Sequence, residues 1–261
     1  GVIPQKGHNL HEILERLGGG FIIHSEVTNV PKGSGLGTSS ILSAACVKAV
    51  FGFMGIEHNE KDLYRHVLAM EQIMSTGGGW QDQIGGVTPG LKYIMSMPGI
   101  EQNIKVSYIE LSESTKKELN ERFTLIYTGQ RRLARHLLRD VIGRYVGNES
   151  ESLFALEEIQ KVATLMKFEL ERGNVDAFAK LLEYHWELSK KIDQGSTNTL
   201  IDQIFSSIDD LIDGKLVCGA GGGGFLQVIL KKGITKQEVQ ERLKAVFQDS
   251  LVGVWECELL W

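Results

Sequence analysis

The sequence predicts an α+β fold, and three observations support that prediction. With 261 residues, of which 42% are hydrophobic, the chain is long enough to bury the core of one large domain or two small ones. Short β-branched segments alternate with longer stretches whose apolar residues recur at helical spacing, and the C-terminal part reads strand, strand, helix, strand. The 30 glycines are clustered between these segments, which indicates tight loops.

Charge and composition exclude several classes of protein. The 28 Lys and Arg residues are outnumbered by 33 Asp and Glu, and no basic run exceeds Arg131 and Arg132, so nucleic acid is not an expected partner. No apolar run approaches the roughly 18 residues that span a bilayer, and the N-terminus lacks the layout of an export signal. We therefore expect a soluble, cytoplasmic protein with no membrane partner. Three widely spaced cysteines, Cys46, Cys218 and Cys257, argue against a disulfide framework and structural zinc.

The first half of the chain is predicted to mix helices and strands. Apolar residues at helical spacing predict a helix over 9–17, and the β-branched segment 20–30 predicts a strand. Small residues predict a closely packed helix from Thr38 or Ser39 to about residue 51. An apolar face predicts a further helix over 60–75. Short strands are predicted over 90–95, 104–111 and 123–128.

The second half is predicted to be helical and to close on a strand layer. Helical patterns cover 131–145, 151–171, 175–192 and 198–212. The remaining elements are strands over 215–218, 225–230 and 253–259 and a helix over 236–247, which is typical of a split β-α-β layer. A polar, charged stretch over 112–116 predicts the boundary between domains 1–114 and 115–261.

The first glycine loop, residues 33–37, lies between a predicted strand and a helix with hydroxyl residues at its start. Backbone N–H groups and the helix N-terminus converge there, which favours binding of an anion, usually phosphate. The alternative is a flexible turn that leads into a capped helix. The clustering of Thr38, Ser39 and Ser40 favours phosphate or metal ligation over flexibility.

The two familiar nucleotide-binding fingerprints do not fit. A Walker A loop needs Gly-Lys-Ser/Thr, but Gly37 is followed directly by Thr38. The second glycine loop, residues 219–224, satisfies G-x-G-x-x-G, but the residues after it predict a strand rather than a helix. The sequence therefore predicts neither a P-loop nor a Rossmann nucleotide site.

Two carboxylates are candidates for chemistry. Glu71 flanks the apolar face of its predicted helix, where a bound cation or a basic partner would offset the cost of burying its charge. The alternative for Glu71 is a solvated position at the edge of that face. Asp82 follows eleven residues later in a glycine-rich loop, where it could equally cap a turn.

Taken together, three segments resemble the GHMP small-molecule kinases, the superfamily of galactokinase and of homoserine, mevalonate and phosphomevalonate kinases. The segments are PKGSGLGTSS, the pair Glu71 and Asp82 at a spacing of eleven, and the late glycine run between strands. Four segments of the sequence are most similar to L-fucokinases, whose relatives include heptose 7-phosphate kinases. These segments are PKGSGLGTSSIL, TGGGWQDQIGG, YTGQRRLA and GAGGGGF. The resemblance extends over residues 20–255.

This resemblance implies a two-layer architecture. An N-terminal domain like ribosomal protein S5, which binds ATP, would occupy 1–114, and a ferredoxin-like domain with extra helices would occupy 115–261. In these kinases an earlier stretch contributes the opening strands and much of the sugar and adenine pocket, whereas only thirty residues precede Pro31 here. The N-terminal domain is thus expected to be incomplete: the chain is a fragment, lacks disordered residues, or is completed by another polypeptide. Unpaired sheet edges would favour a homo-oligomer or poor activity.

The resemblance also implies roles for individual residues, with ATP, Mg²⁺ and a sugar as ligands. The residues implied to bind the nucleotide are Gly33, Ser34, Gly35, Leu36, Gly37, Thr38, Ser39, Gly221 and Gly222. Ser39 and Glu71 would bind Mg²⁺, and Asp82 would orient or deprotonate the sugar hydroxyl. Phosphoryl transfer needs charge neutralisation and alignment rather than a covalent intermediate, so this set is chemically sufficient.

The expected function is ATP-dependent phosphorylation of the anomeric hydroxyl of L-fucose to give fucose 1-phosphate. The first alternative is a heptose 7-phosphate kinase of the same superfamily, whose substrate would require a further basic pocket. The second is a nucleotide-binding protein without catalytic activity, suggested by the short segment before Pro31.

Overall fold

The computed structural model describes residues 10–16, 18–74, 79–99, 103–131 and 135–261. Contacts between residues divide the chain into two compact units. The first contains the described residues of 1–30 together with Gly37–Thr88, and the second contains Pro31–Leu36 and Pro89–Trp261. In the described part of the chain, no helix combines the length and the apolar character that crossing a membrane requires.

The first unit is helical throughout its described regular structure. Its helices are α1 (Leu10–Arg16), α2 (Thr38–Met54), α3 (Glu60–Ile73) and α4 (Gln81–Val87). Asn59 begins α3 with a reciprocal capping box to Asp62, and Gly55 ends α2 in the left-handed conformation that glycine adopts without strain. Ala44, Leu63 and Val67 form the buried core between α2 and α3.

In its described residues, the second unit combines two antiparallel sheets with six helices. Its elements are β1 (Lys92–Met97), β2 (Asn103–Tyr108), α5 (Glu113–Arg122), β3 (Phe123–Tyr127), α6 (Arg135–Val146), α7 (Ser150–Glu171), α8 (Val175–Ile192), α9 (Thr199–Ile208), β4 (Ile212–Val217), β5 (Phe225–Leu230), α10 (Lys236–Val246) and β6 (Gly253–Trp255). Short 3₁₀ turns cover Gln194–Ser196 and Asp209–Leu211. Strands β1 and β2 pair as a hairpin, and the larger sheet has the order β4-β5-β3-β6.

The larger sheet is the split arrangement that the C-terminal pattern predicts. The chain runs from β3 through helices to β4, pairs β4 with β5, and returns through α10 to β6 on the far side of β3. Strands β3 and β5 are buried almost throughout, because they lie in the middle of the sheet and carry apolar residues on both faces. The core over this sheet includes Ile126, Trp186, Ile204, Leu226, Val228, Leu230 and Leu243.

Helix α8 lies directly on strand β4. A Cβ at Gly214 in β4 would stand 2.3 Å from the backbone oxygen of Ala179 in α8, so only glycine permits this approach. Helix α7 in turn packs against α8 through Val162, Leu188 and neighbouring apolar residues. The second unit is therefore layered, with α8 between the sheet and α7.

Arg122, the last residue of α5, is the centre of a buried ion-pair network in the second unit. Its guanidinium donates to Glu118 at 2.5 Å, Asp176 at 2.6 Å and Asp213 at 2.8 Å, and its Nε donates to the backbone oxygen of Leu230 at 2.7 Å. The side chain is only 4% exposed. The Arg122 guanidinium, followed by Lys232, holds the pKa of Asp176 below its usual range.

Most elements occur where the sequence predicts them, and the predicted α+β fold class is confirmed. The predicted strand over 20–30 is wrong, because these residues form neither helix nor strand and Ile22 is 83% exposed. A β-branched segment forms a strand only against a neighbouring strand, and none of the described strands pairs with this one. Residues 9, 17, 75 and 132–134 of the predicted elements lie outside the described part of the chain.

The polar stretch that predicted a domain boundary is part of a helix. Ser112 caps α5 by accepting a hydrogen bond from the backbone N–H of Thr115 at 3.2 Å, so the polar residues begin a helix rather than a linker. The division of contacts falls earlier, between Thr88 and Pro89. A domain boundary near 114 stays a prediction.

Replacing Arg122 should destabilise the second unit. We expect Arg122→Met to lower the free energy of unfolding by about 2 to 3 kcal/mol. This loss is smaller than the loss on breaking a fully buried ion pair, because the carboxylates that pair with Arg122 are partly exposed. Urea unfolding measures the change. Lys232→Met is the control, because Lys232 pairs with Glu118 and Asp176 from a side chain that is 63% exposed. Equal losses in both variants would contradict the central role of Arg122.

Candidate active site

Within the first unit, the buried carboxylate of Glu71 is held between two other helices. Glu71 lies on α3 and is 4% exposed. The hydroxyl of Ser40, on α2, donates to Glu71 Oε1 at 2.7 Å. The amide of Gln83, on α4, donates to Glu71 Oε2 at 2.7 Å and to the backbone oxygen of Gly79 at 3.1 Å. Each carboxylate oxygen therefore has a short hydrogen bond from a different helix.

Asp82 lies against the start of α2. Gly37, the N-cap residue, has a left-handed backbone with φ 65°, and a Cβ placed there would be 3.4 Å from the Asp82 Cγ atom. The Asp82 side chain keeps an exposed surface, but its surroundings remove enough water that burial raises the pKa of its carboxyl. A carboxyl with a raised pKa is a better proton acceptor near neutral pH than an ordinary aspartate.

The first turn of α2 presents hydroxyls at different depths. Ser39 is exposed, Thr38 is half-buried, and Ser40 is buried at 2% exposure. Gly37 supplies no side chain to cap the N–H groups of this turn. Uncapped N–H groups and the positive end of the helix dipole favour an anion at such a terminus.

In the second unit, residues 33–36 of the first glycine loop pack on the second glycine loop without intervening side chains. A Cβ at Gly35 would be 2.4 Å from the backbone oxygen of Cys218, and one at Gly219 would be 2.9 Å from the Gly35 Cα. The backbone N–H of Phe225 donates to the Ser34 oxygen at 2.9 Å. Burial raises the pKa of the Cys218 thiol to about 12, which lowers the fraction of the nucleophilic thiolate at neutral pH.

Two further loops of the second unit hold the second glycine loop. The backbone N–H of Gly222 donates to the Ser196 oxygen at 2.6 Å, and that of Gly224 donates to the Gln130 oxygen at 3.0 Å. The amide of Asn198 donates to the oxygen of Gly222 at 3.1 Å. These bonds fix the loop in a series of left-handed conformations, with φ 87° at Gly221 and 73° at Gly222.

The residues around Glu71 fit a hard divalent cation. Among the described residues no group of three or more His, Cys, Asp or Glu side chains is placed to hold a metal, so an ion here would need other oxygen ligands. Mg²⁺ commonly binds one or two carboxylates together with phosphates and waters. A carboxylate has about four acceptor positions, and the bonds from Ser40 and Gln83 use one on each oxygen. The buried Gln83 Oε1 oxygen has no hydrogen-bond partner within the described structure.

The structure brings Glu71 and Asp82 to the start of α2, where Thr38 and Ser39 also lie. The other predicted nucleotide-binding residues, Gly33 to Leu36, Gly221 and Gly222, fold in the second unit. The sequence assigns no site role to Gln83, and it groups Ser40 with Thr38 and Ser39 as hydroxyls that cap the helix or bind phosphate or metal. The clustered hydroxyls of residues 38–40 and the polar residues around Asp82 were the available signals.

Comparison with known proteins finds a family that part of this chain resembles. Residues 8–89 match the family model described as the GHMP kinases N terminal domain. The helix-terminal hydroxyls, Glu71 and Asp82 all lie inside this matched segment, which ends at the boundary between the two units. This segment is therefore similar to the N-terminal domain of GHMP kinases.

The similar curated proteins include fucokinases. The chain is 36% identical over 216 residues to the bifunctional fucokinase/GDP-fucose pyrophosphorylase of Arabidopsis thaliana, covering 83% of this chain and 20% of that protein. It is 34% identical over 223 residues to the L-fucokinase/L-fucose-1-P guanylyltransferase of Bacteroides fragilis, covering 85% and 23%. This chain therefore spans about a fifth of the length of these relatives.

A shorter relative and a solved structure extend the comparison. The D-glycero-alpha-D-manno-heptose 7-phosphate kinase of Campylobacter jejuni is 27% identical over 208 residues, covering 79% of this chain and 60% of that protein. The crystal structure of L. major mevalonate kinase in complex with R-mevalonate superposes with a TM-score of 0.64 at 13% identity, covering 93% and 72%. At that identity the match shows the fold alone.

Because burial raises the Asp82 pKa, its charge destabilises the folded chain at neutral pH. A carboxyl whose folded pKa lies above the unfolded value contributes stability below pH 3.8, and loses that contribution as the pH rises through the folded pKa. We therefore expect Asp82→Asn to raise the free energy of unfolding at pH 7 and to lose this advantage below pH 3.8. Urea titrations at both pH values measure it. A variant less stable at pH 7 would show instead that the charge is stabilised.

A comparison of alanine variants at Gly221 and Gly233 separates the stability cost of a close backbone contact from the cost of backbone strain. Both have φ 87°, but a Cβ at Gly221 would be 2.4 Å from the Ser196 oxygen, whereas one at Gly233 meets nothing within 4 Å. Gly233→Ala should cost about 1 to 2 kcal/mol from the left-handed backbone alone. Gly221→Ala should cost about 1 to 3 kcal/mol more because of the clash. Urea unfolding compares them, and equal costs would contradict the tight contact.

Proposed function

We propose that this chain is the kinase portion of an ATP-dependent sugar kinase that phosphorylates the anomeric hydroxyl of L-fucose to give fucose 1-phosphate. The observation that carries the proposal is the placement of Glu71 and Asp82 at the hydroxyl-rich start of α2. The fucokinase names of the relatives at 34–36% identity support the choice of sugar.

The roles of the nucleotide-binding residues follow from their chemistry. Backbone N–H groups of Gly33 to Gly37 and the start of α2 would bind the phosphates, with hydroxyl contacts from Thr38 and Ser39. Gly221 and Gly222 belong to a backbone of left-handed glycines, which can approach a ligand closely because no side chains intervene.

Ser39 and Glu71 would hold Mg²⁺. When bound, the ion supplies positive charge that neutralises the phosphate oxygens as charge shifts to the leaving group. Both residues offer hard oxygen atoms, which Mg²⁺ prefers. Ser39 is exposed and Glu71 is buried in the same first unit.

Asp82 would orient the sugar hydroxyl and accept its proton as the hydroxyl oxygen attacks the γ-phosphorus. Its raised pKa suits this task, because the carboxylate is then more basic than that of an ordinary aspartate. ADP leaves as the bond between the γ-phosphorus and the bridging oxygen breaks, and the phosphoryl group remains on the sugar.

A heptose 7-phosphate kinase is the second candidate, favoured by the relative at 27% identity. Its substrate carries a phosphate that L-fucose lacks, and so requires an additional basic contact. A cytoplasmic location and a homo-oligomer stay predictions of the sequence.

Coupled ADP release with L-fucose and with D-glycero-D-manno-heptose 7-phosphate tests the proposal. We expect turnover with L-fucose, and we expect Asp82→Asn to lower kcat/KM by about 100-fold or more because the proton acceptor is removed. Asp140→Asn is the control, because Asp140 is an exposed aspartate on α6 in the second unit.

The outcomes separate the candidates. Turnover with the heptose phosphate alone would replace the fucokinase proposal with the second candidate. Turnover with neither sugar, while MgATP still raises the unfolding temperature, would contradict both and support a nucleotide-binding protein without catalysis.

A further inference from the structure

We propose that Ser40 and Gln83 are positioning residues that orient the Glu71 carboxylate for a divalent cation, an inference that rests on the proposed function. Neither residue needs to touch the nucleotide or the ion. Their task is to hold one carboxylate in a single orientation, so that the oxygen atoms it presents to the metal are set before the metal binds.

The hydrogen bonds have the geometry that orientation requires. Ser40 donates to Oε1 from α2 and Gln83 donates to Oε2 from α4, both at 2.7 Å. A single donor would let the carboxylate rotate about that bond, whereas donors on both oxygens fix its plane. Hydrogen bonds to an ionised acceptor are short and stronger than neutral ones. Both donors are buried, Ser40 at 2% and Gln83 at 1% exposure, so water does not compete for them.

The two polar atoms of the Gln83 amide differ in their hydrogen bonds, and this difference indicates which atom supports the site. Its Nε2 donates both to Glu71 and to the backbone oxygen of Gly79, while its buried Oε1 has no partner within the described residues. An unsatisfied buried carbonyl is unfavourable, and an apolar side chain of similar size would avoid it. The donation from Nε2 to the carboxylate is what a glutamine provides here and an apolar residue cannot.

Ser39 and Ser40 then have separate tasks despite being neighbours. Successive helical residues point about 100° apart, and the structure leaves Ser39 exposed while Ser40 is buried against Glu71. The exposed hydroxyl is available to a ligand, and the buried one is committed to the carboxylate. This division gives separate tasks to two of the three hydroxyl residues that begin α2 before Ile41.

Binding of Mn²⁺ in the presence of a saturating, non-hydrolysable ATP analogue tests the inference without requiring turnover. The electron paramagnetic resonance signal of free Mn²⁺ gives the dissociation constant for the whole chain and its variants. Ser40→Ala and Gln83→Met each remove one donor with little change in volume. We expect each to weaken Mn²⁺ binding by about tenfold or more, since loss of such supporting hydrogen bonds commonly costs 10–100-fold in metal affinity.

Two further variants serve as controls. Ser40→Thr keeps the hydroxyl, so its dissociation constant for Mn²⁺ should stay within about threefold of that of the original chain. This change is smaller than the roughly tenfold loss of affinity that removal of a supporting donor causes. Ser43→Ala makes the same chemical change as Ser40→Ala at another buried serine one turn further along α2, and should leave Mn²⁺ binding unchanged. Circular dichroism of each free variant confirms that the fold is retained.

Glu71→Gln distinguishes failure of this inference from failure of the proposed function. If Glu71→Gln weakens Mn²⁺ binding but Ser40→Ala and Gln83→Met do not, the positioning role is overturned and the metal role of Glu71 stands. If Glu71→Gln binds Mn²⁺ as the original chain does, the metal role itself is wrong and the inference falls with it. Loss of binding in Ser43→Ala equal to that in Ser40→Ala would also overturn the inference, since it would show a general effect on α2.

Discussion

A carboxylate buried among helices dictates the arrangement of the first unit. Glu71 is 4% exposed, and an ionised group in that position is tolerated only where donors replace the water it has lost. Those donors come from α2 and α4, so the register of three helices is fixed by one charge. Gly86 contributes to the same packing, because a Cβ there would be 2.5 Å from the Ile41 side chain, which would have to move.

The second unit depends on a different constraint, the direct contact of one backbone with another. Residues 33–36 and the second glycine loop touch through glycines, and β5 begins immediately after them. The hydrogen bond from Phe225 to Ser34 continues the line of the strand into the first glycine loop. Because β5 is buried in the middle of the sheet, this hydrogen bond ties the first glycine loop to the core of the second unit.

The sequence predicts local structure well where the apolar pattern of an element is continuous and ends at clear boundaries. The predicted and observed bounds of α8 and β5 coincide. Prediction fails where pairing or capping decides the outcome. Residues 20–30 have strand composition but no strand partner, and Ser112 turns a polar stretch into α5 through one capping hydrogen bond. The buried bonds of Ser40 and Gln83 to Glu71 join residues 31 and 12 positions apart, a proximity that spacing along one helix cannot reveal.

The close contact of the two glycine loops has a consequence for how the sequence can diverge. A Cβ at Gly219 would enter the space of the Gly35 backbone, and a Cβ at Gly35 would enter the space of the Cys218 backbone, the residue before Gly219. A lineage that acquires a β-carbon at one position must therefore remodel the other loop in the same step or spread the two segments apart. We therefore expect the two glycines to be kept or lost together, and their loss in a distant homologue to accompany a rebuilt pair of loops.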